Sequence, residues 1–433
     1  MRAPLSSRGS AKKVILILSL VVASLVAISI FLFKRFGRPS YHANNQGYTA
    51  VTREMILKSI ERAADYGANI ILDPVSGNSR CDYFIEKKKW QLYEPAWHTG
   101  QMIYALVAAQ TLFPEKNYLL KAQKAGDWWK SLQYKEGVLK GLIKADHGDD
   151  LEGFILFSTV SDGTAGLYQL SAATQDLSYA QVATEAGEFL LKKTPGTQPG
   201  LYFDNIDIRT SQVLKTVEQV RGRSGGANPY LERINIEGSL FLDAFLFSKK
   251  EEFRKAFQEQ CNATVARQDA NGLWMDFAPN AKEVGYIHPR FNVWHAEALI
   301  RCFETFAARK YLDSALKTAE YYARYQLPDG SLDLQARDKD KIKDRYSGSA
   351  VAFAGILWLK LSNPVIGPDF SRNINQAALW LVNHQYSEDF HIEEVRGAYK
   401  DLKIKPRQNE TLSRDLGTSF GIRFLVEYYK GLK

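Results

Sequence analysis

Three cysteines in 433 residues, Cys81, Cys261 and Cys302, are too few for a disulfide framework and show no CxxC or zinc spacing. The odd count leaves at least one thiol unpaired or bonded between chains. One disulfide is compatible with the set, but spacing does not name its partners. Seven histidines include no HExxH pair, so no metal centre is expected. There is no phosphate loop, dinucleotide fingerprint or Gly-x-Ser-x-Gly elbow, and no cofactor is expected. Charge of one sign is also lacking. The formal +8 is concentrated in residues 1–40, which hold seven Lys or Arg and no acid, leaving +1 for the rest. That balance gives no support for a nucleic-acid partner.

Long hydrophobic runs are lacking too, with one exception. Residues 14–33 are an uncharged stretch of 20, mostly Val, Ile, Leu, Ala and Phe, long enough to cross a bilayer. Arg2, Arg8, Lys12 and Lys13 precede it; Lys34, Arg35 and Arg38 follow. No small-x-small cleavage site follows, so the expectation is an uncleaved signal anchor rather than a cleaved signal. Residues 1–13 then form a cytoplasmic tail, 34–52 a linker, and 53–433 the body on the extracytoplasmic side. A body of that size buries its own core without disulfides. Asn262-Ala-Thr and Asn409-Glu-Thr are formal glycosylation sequons, meaningful only on a eukaryotic secretory route.

What the body does contain is one pattern written six times. The clearest copy, 285–306, passes from a polar loop with His288 and Arg290 through Asn292, a good helix cap, into an apolar set at helical spacing. Other copies begin near Glu94, Ser161, Asn235, Asp344 and Arg414. Each opens on a polar residue, passes through Gly, Ala, Ser or Thr, and ends in a hydrophobic helix. Gly100, Gly166, Gly238, Ala296, Gly348 and Gly417 serve as marks, spaced by 66, 72, 58, 52 and 69. Small residues there let the helices approach closely. Between the marked helices lie six more amphipathic ones, at about 53–67, 117–133, 178–193, 251–267, 310–326 and 370–385, with a charged face suited to an outer ring. The links from outer to marked helices are long, so all long loops fall on one face, with the N-termini of the inner helices. Gln-x-x-x-Gly-x-(Trp or Leu) recurs after outer helices at Gln133, Gln268 and Gln326, with a degraded copy at 197–202, and reads as a structural turn.

This alternation resembles the (α/α)6 toroids of carbohydrate-active enzymes, and the resemblance implies an all-α domain of six helical hairpins. Trp294-His-Ala-Glu-Ala-Leu is similar to a segment of the N-acylglucosamine and cellobiose 2-epimerases. Tyr93-Glu-Pro-Ala-Trp-His-Thr-Gly-Gln is similar to the C-terminal domain of glucuronyl C5-epimerases. The Gln-x-x-x-Gly-x-Trp element resembles the repeat of terpene cyclases, but His147-Gly-Asp-Asp-Leu-Glu is a poor match to their Asp-rich motif.

Candidate residues are the polar groups at the starts of inner helices. Asp162, Glu237, His295 and Tyr346 are the catalytic candidates. Glu94, Trp97, His98, His288, Arg290, Trp294, Asp344, Arg345 and Asp415 are candidates for binding substrate, with Arg233, Glu297 and Arg414 alongside. Capping competes for the acids: Asp162, Asp344 and Asp415 sit where a cap would, and Glu94 precedes Pro95. Glu237 is expected in the first turn of its helix, after Asn235. Trp97, Tyr202, Phe203, Trp274, Tyr286, Trp294 and Tyr346 could stack on sugar rings, although most aromatics in such a chain belong to the core.

Two chemistries fit. Glycoside hydrolysis needs a protonated carboxyl and a carboxylate, with Asp162 and Glu237 as the first pair. Uronate elimination or C5-epimerisation needs a base, an acid and a partner for the carboxylate, which Tyr346, His295, His288 and Arg290 would supply. The expectation is a membrane-anchored enzyme acting on a poly- or oligosaccharide. The alternatives are a non-catalytic glycan-binding subunit of a surface-polysaccharide system and a terpene-cyclase-like toroid. Two acids, or an acid with a His or Tyr, meeting in one cleft would favour the enzyme.

Overall fold

The computed structural model describes residues 51–146, 153–224, 231–277, 280–332, 347–362, 367–405 and 410–432. The run at 14–33, nearly all of the linker, His147, Asp344, Arg345 and Tyr346 lie outside the described residues. Among the described residues, no helix is long and apolar enough to cross a membrane.

Six outer helices are Arg53–Tyr66 (α1), Tyr118–Ser131 (α3), Leu177–Lys193 (α5), Glu251–Ala266 (α8), Arg309–Arg324 (α10) and Ser371–Asn383 (α12). Their ends fall within two residues of those expected from amphipathic periodicity. In α10, Tyr311, Leu312, Ala315, Ala319 and Tyr322 form the buried stripe, and charged residues take the other face. Six inner helices alternate with them: Pro95–Gln110 (α2), Phe157–Thr174 (α4), Leu240–Ser248 (α7), Phe291–Phe306 (α9), Gly348–Leu361 (α11) and Leu416–Gly431 (α13). These are buried on nearly every side; in α11 the whole stretch Gly348–Trp358 is inaccessible. A further short helix, Val217–Ser224 (α6), lies in the link between α5 and α7.

Inner helices contact one another in the order α2, α4, α7, then α9, α11, α13 and back to α2. Arg301 on α9 reaches Asp243 on α7 at 2.6 Å and joins the two arcs. Outside this ring, α1 packs on α13 and α12, so the first and last hairpins close on each other. Ser59 of α1 donates to Gln385 Oε1 across that seam at 2.9 Å.

The small-residue marks work as expected at the tightest crossing. A Cβ on Gly100 would stand 2.0 Å from the Gly163 carbonyl oxygen, and one on Gly166 would stand 2.0 Å from that of Gly100. Helices α2 and α4 therefore touch backbone to backbone, and any side chain there would drive them apart. The Gln repeat is structural. Gln268 donates to Gly272 O and to Ser314 O of the next outer helix, and Gln326 does the same to Gly330 O and Asn373 O. Gln133 bonds Gly141 rather than Gly137, and Gln385 adds a further copy through Gly397.

Two expectations need correction. The body is not all-α: the long links fold into short strands. Asp82–Phe84 (β1), Lys89–Gln91 (β2), Leu402–Lys405 (β8) and Glu410–Ser413 (β9) form a sheet in the order β2-β1-β9-β8. Phe154–Leu156 (β3), Asn205–Asp207 (β5) and Gln212–Val213 (β6) form another, and Tyr202–Phe203 (β4) pairs with Glu232–Arg233 (β7). Runs of two to four residues are too short to leave a period-2 signal. Asn292 is not a cap either. It lies inside α9, where its Oδ1 accepts from the Trp274 backbone N–H at 2.9 Å.

A disulfide joins Cys261 on α8 to Cys302 on α9, and Cys81 is a buried free thiol. Asn262 of the first sequon is exposed, and its Oδ1 accepts from Lys310 and Tyr311 of the next outer helix. Asn409 lies outside the described residues.

Candidate active site

The inner helices deliver their N-termini to one rim, and the rim has a floor. Trp97 on α2 and Trp294 on α9 come from opposite sides of the ring and stack with centroids 5.9 Å apart. Phe353 on α11 and Phe420 on α13 close the layer, 5.0 and 5.5 Å from Trp294. Both tryptophans are buried, so they plug the ring rather than stand as open platforms.

On one side of the floor lies a cluster of acids around one arginine. Arg233 arrives on β7 and donates to Glu237 Oε1 at 2.8 Å. Its Nη1 is 4.0 Å from Asp204 Oδ2, and Asp204 accepts from the Ser158 backbone N–H at 3.0 Å. His295 Nδ1 lies 3.8 Å from Glu237 Oε1 and 3.1 Å from the Phe291 carbonyl oxygen. Asp162 stands beside Glu237, and Glu94 Oε1 accepts from Thr159 at 3.1 Å. Oδ1 of Asp162 and Oε2 of Glu237 are buried with no hydrogen-bond partner among the described residues. Those two oxygens remain for a ligand or water.

The two carboxyls are pushed in opposite directions. Burial raises Asp162 well above the ordinary carboxylate range, and the negative charge of Glu237 adds to it. Burial also pushes Glu237 upward, but His295 and Arg233 outweigh it and hold Glu237 below its usual value. His295 is itself lowered by burial, which Glu237 partly offsets, whereas Arg233 adds a direct hydrogen bond to Glu237. The arrangement sets a carboxyl biased toward its neutral form beside one biased toward its charged form.

Across the floor lies a second group. His98 Nδ1 is 2.5 Å from Asp415 Oδ1, Ser79 donates to Asp415 Oδ2 at 2.7 Å, and Arg414 holds Asp82 at 3.2 Å. His98 Nε2 is buried with no hydrogen-bond partner among the described residues. Arg290 donates to Ser349 Oγ at 3.2 Å and has no carboxylate at ion-pair distance among the described residues. Burial, and then the charge of Arg414, lowers its pKa to about 10. Ligand-type atoms of Asp82, His98 and Asp415 lie within 4.8 Å of one another. Arg414 already neutralises Asp82 there, and the Asp415 oxygens are taken by Ser79 and His98, so the set is a poor fit to a cation.

Of the residues picked from sequence, the structure brings Asp162, Glu237, His295, Glu94, Trp97, His98, Arg290, Trp294 and Asp415 to this rim. None of these four acids, Asp162, Glu237, Glu94 and Asp415, caps its helix. Asp162 is in the sixth position of α4, which starts at Phe157, and Glu237 precedes the start of α7 at Leu240 rather than lying in its first turn. Asp415 and Glu94 stand at N-cap positions without a capping bond. His288 is a cap instead: its Nδ1 accepts from the backbone N–H groups of Arg290 and Phe291, at 3.4 and 3.3 Å. Tyr202 packs on Phe157 and Phe241, and Trp274 is fully buried with Nε1 on Thr264 O, so both belong to the core. Asp82, Asp204 and the buried Asp401, whose carboxyl feels Arg290 and Arg414, were missed. The one available signal was Asp204, an acid directly after the apolar run Leu201-Tyr202-Phe203.

No family model matches the chain, and no curated protein does. Solved structures do match over most of its length. Cellobiose 2-epimerase from Bacillus thermoamylovorans superposes with a TM-score of 0.63 at 11% identity, covering 87% of this chain and 99% of that one. The fold is the (α/α)6 toroid of carbohydrate-active enzymes. An unsaturated glucuronyl hydrolase specific for heparin matches with a TM-score of 0.62 at 13% identity, over 88% of this chain and 98% of the other. The GH76A alpha-1,6-mannanase from Salegentibacter gives 0.55 at 14% identity, over 87% and 100%. At these identities the likeness establishes the toroid and leaves the reaction to be argued from this chain's own residues.

Proposed function

We propose that this toroid is a glycoside hydrolase acting on an oligo- or polysaccharide, with Asp162 as general acid and Glu237 as the carboxylate partner. The observation that carries the reading is the pair itself: two carboxyls in one buried cluster whose surroundings push their proton affinities apart. Asp162 keeps its proton because burial and Glu237 disfavour a second negative charge. Glu237 stays ionised because Arg233 grips it, and it can activate water or attack the anomeric carbon. His295, Glu94 and His98 would bind sugar hydroxyls, and Arg290 has donors to spare for an acidic substituent. Glucuronyl hydrolase, epimerase and mannanase among the similar structures are consistent with a saccharide substrate.

A second reading is epimerisation, favoured by the imidazoles. His98 and His295 each have Nδ1 engaged, by Asp415 and the Phe291 carbonyl, so each can present Nε2 as a base. The meeting of acids and His in one place supports catalysis over a purely binding subunit. A rim so rich in charge speaks against a terpene site.

We place the enzyme outside the cytoplasm, anchored through residues 14–33, with 34–52 as the linker and 53–433 as the catalytic body. The apolar run supports this, as does the Cys261–Cys302 bond, since such bonds persist in oxidising compartments. The test is to incubate the detergent-purified full chain with neutral and uronic oligosaccharides, following new reducing ends, absorbance of unsaturated uronates and deuterium uptake at C5. Reducing ends that vanish in D162N and E237Q confirm hydrolysis. Deuterium uptake without cleavage, lost in H295Q or H98Q, moves the assignment to epimerase.

A further inference from the structure

A general acid must be held in place without being held by its carboxyl. Any cation or strong donor on Asp162's oxygens would stabilise its charged form and remove the proton it has to deliver. Its Oδ1 is indeed free of protein partners among the described residues. The backbone is one route by which its position can be set.

Beneath the aromatic floor, Gln101 of α2 donates its amide Nε2–H to the Asp162 carbonyl oxygen. Its Oε1 accepts from Arg423 Nη1 on α13 at 3.0 Å. Arg423 has only donors, so the Gln101 amide has one sensible orientation: oxygen to arginine, nitrogen to Asp162. Arg423 is fixed in turn. Its guanidinium lies 4.1 Å from the Tyr104 ring centroid, and its Nη2 is 3.5 Å from Glu297 on α9. Glu297 is anchored a second time by Lys360 of α11 at 2.8 Å. These links run from the far side of the floor to the acid and tie together α11, α9, α13, α2 and α4. Nothing in the proposed reaction uses them.

We infer that Gln101, oriented by Arg423, is the positioning residue for Asp162, setting where its carboxyl stands without touching it. This rests on the reading of Asp162 as the acid. Q101M is close in shape and removes both hydrogen bonds. It should lower kcat about tenfold or more while KM changes by less than about twofold, since misplacement of a reacting group acts on the chemical step. A loosened Asp162 reaches more water, so the high-pH limb of kcat should move to lower pH. R423K, the milder variant, keeps the charge but loses the rigid fork, and should move the same limb the same way by less.

A measurement without substrate runs alongside. The difference in Tm between the wild-type chain and D162N, followed against pH, reports Asp162's own proton. In the Q101M background that difference should be smaller and level off at lower pH, because its upper end follows Asp162's folded value while its onset is fixed by the unfolded chain. A kinetic limb and a levelling-off that both stay in place, with Tm merely lowered, would reduce Gln101 to a structural bond and overturn the inference. Turnover retained in D162N would sink the hydrolase reading instead, while the Tm difference would still decide whether Gln101 governs Asp162.

Discussion

If Asp162 is the general acid proposed above, replacing it by asparagine should lower turnover and strengthen the protein. The carboxyl sits against Glu237 in a buried place, so its folded-state pKa lies above the ordinary carboxylate value of 3.8. The folded chain then holds a proton that the unfolded chain has already released. In the window above 3.8 the unfolded state binds fewer protons, so stability falls as pH rises through it. Below that window both states are protonated and the penalty is absent. Asparagine has the same shape and no charge to bury. D162N should therefore melt higher than the wild-type chain at neutral pH, and the gap should close as pH approaches 4. Turnover should fall by about 10²–10⁴, the usual value of a general acid, which is about 3–5 kcal/mol of barrier.

Glu237→Gln makes the contrast. Its folded pKa is depressed, so its ionised form contributes stability above the unfolded value of about 4.5, and that is lost as pH falls through the folded value. E237Q leaves Arg233 buried with Asp204 as its remaining close acid, and should melt lower at neutral pH. Melting curves between pH 4 and 8, with turnover on the same samples, check both. If D162N loses stability at neutral pH as E237Q does, the two carboxyls are not in opposite protonation states and the assignment of acid and base fails.

Reduction of Cys261–Cys302 releases a loop spanning 41 residues and should cost about 4 kcal/mol, read as a fall in Tm under reductant; an unchanged Tm would refute the bond. The denatured, unreduced chain should titrate a single thiol, Cys81. Gly100→Ala should unfold or inactivate the protein because its Cβ meets backbone at 2.0 Å. Gly187→Ala, with nothing nearer than 3.5 Å on outer helix α5, should be neutral or stabilising by up to about 1 kcal/mol in thermal melts. Arg290→Met should raise KM about tenfold or more for acidic substrates and leave neutral ones unchanged; equal effects on both would remove it from carboxylate binding.

Much of the toroid could be read from the chain because its signals are local. An outer helix such as α10 displays its stripe within sixteen residues, and an inner helix announces itself by glycine followed by unbroken apolar sequence. The strands could not be read in this way. Tyr202–Phe203 and Glu232–Arg233 are two residues each and exist because they find one another across a separation of about thirty positions. Helix starts were displaced for similar reasons. Phe157 can begin α4 early because the buried strand Phe154–Leu156 delivers the chain straight into it. Leu240 begins α7 late because Gly238 must lie against the Ser161 carbonyl, with Asn235 and Ser239 forced to positive φ around it.

The site divides along the same line. Glu94, His98, Asp162, Glu237, His295 and Asp415 were visible because each lies at or near the start of an inner helix, and parallel inner helices bring their starts to one face. The chemistry that separates two of them was not visible. Asp162 and Glu237 are pushed in opposite directions because His295 and the hydrogen-bonded Arg233 lower Glu237, while burial and Glu237 outweigh the pull of Arg233 on Asp162. Arg233 and Glu237 are four residues apart, a spacing that on a helix would read as an ordinary surface pair. Here the arginine lies on β7, held by pairing with Tyr202, and Asp204 beside that strand supplies its second carboxylate. The proposed acid and base are thus set apart by a pair of strands that neither of them belongs to. Breaking the β4–β7 pairing should bring the two carboxyls toward a common pKa even with every catalytic residue left in place.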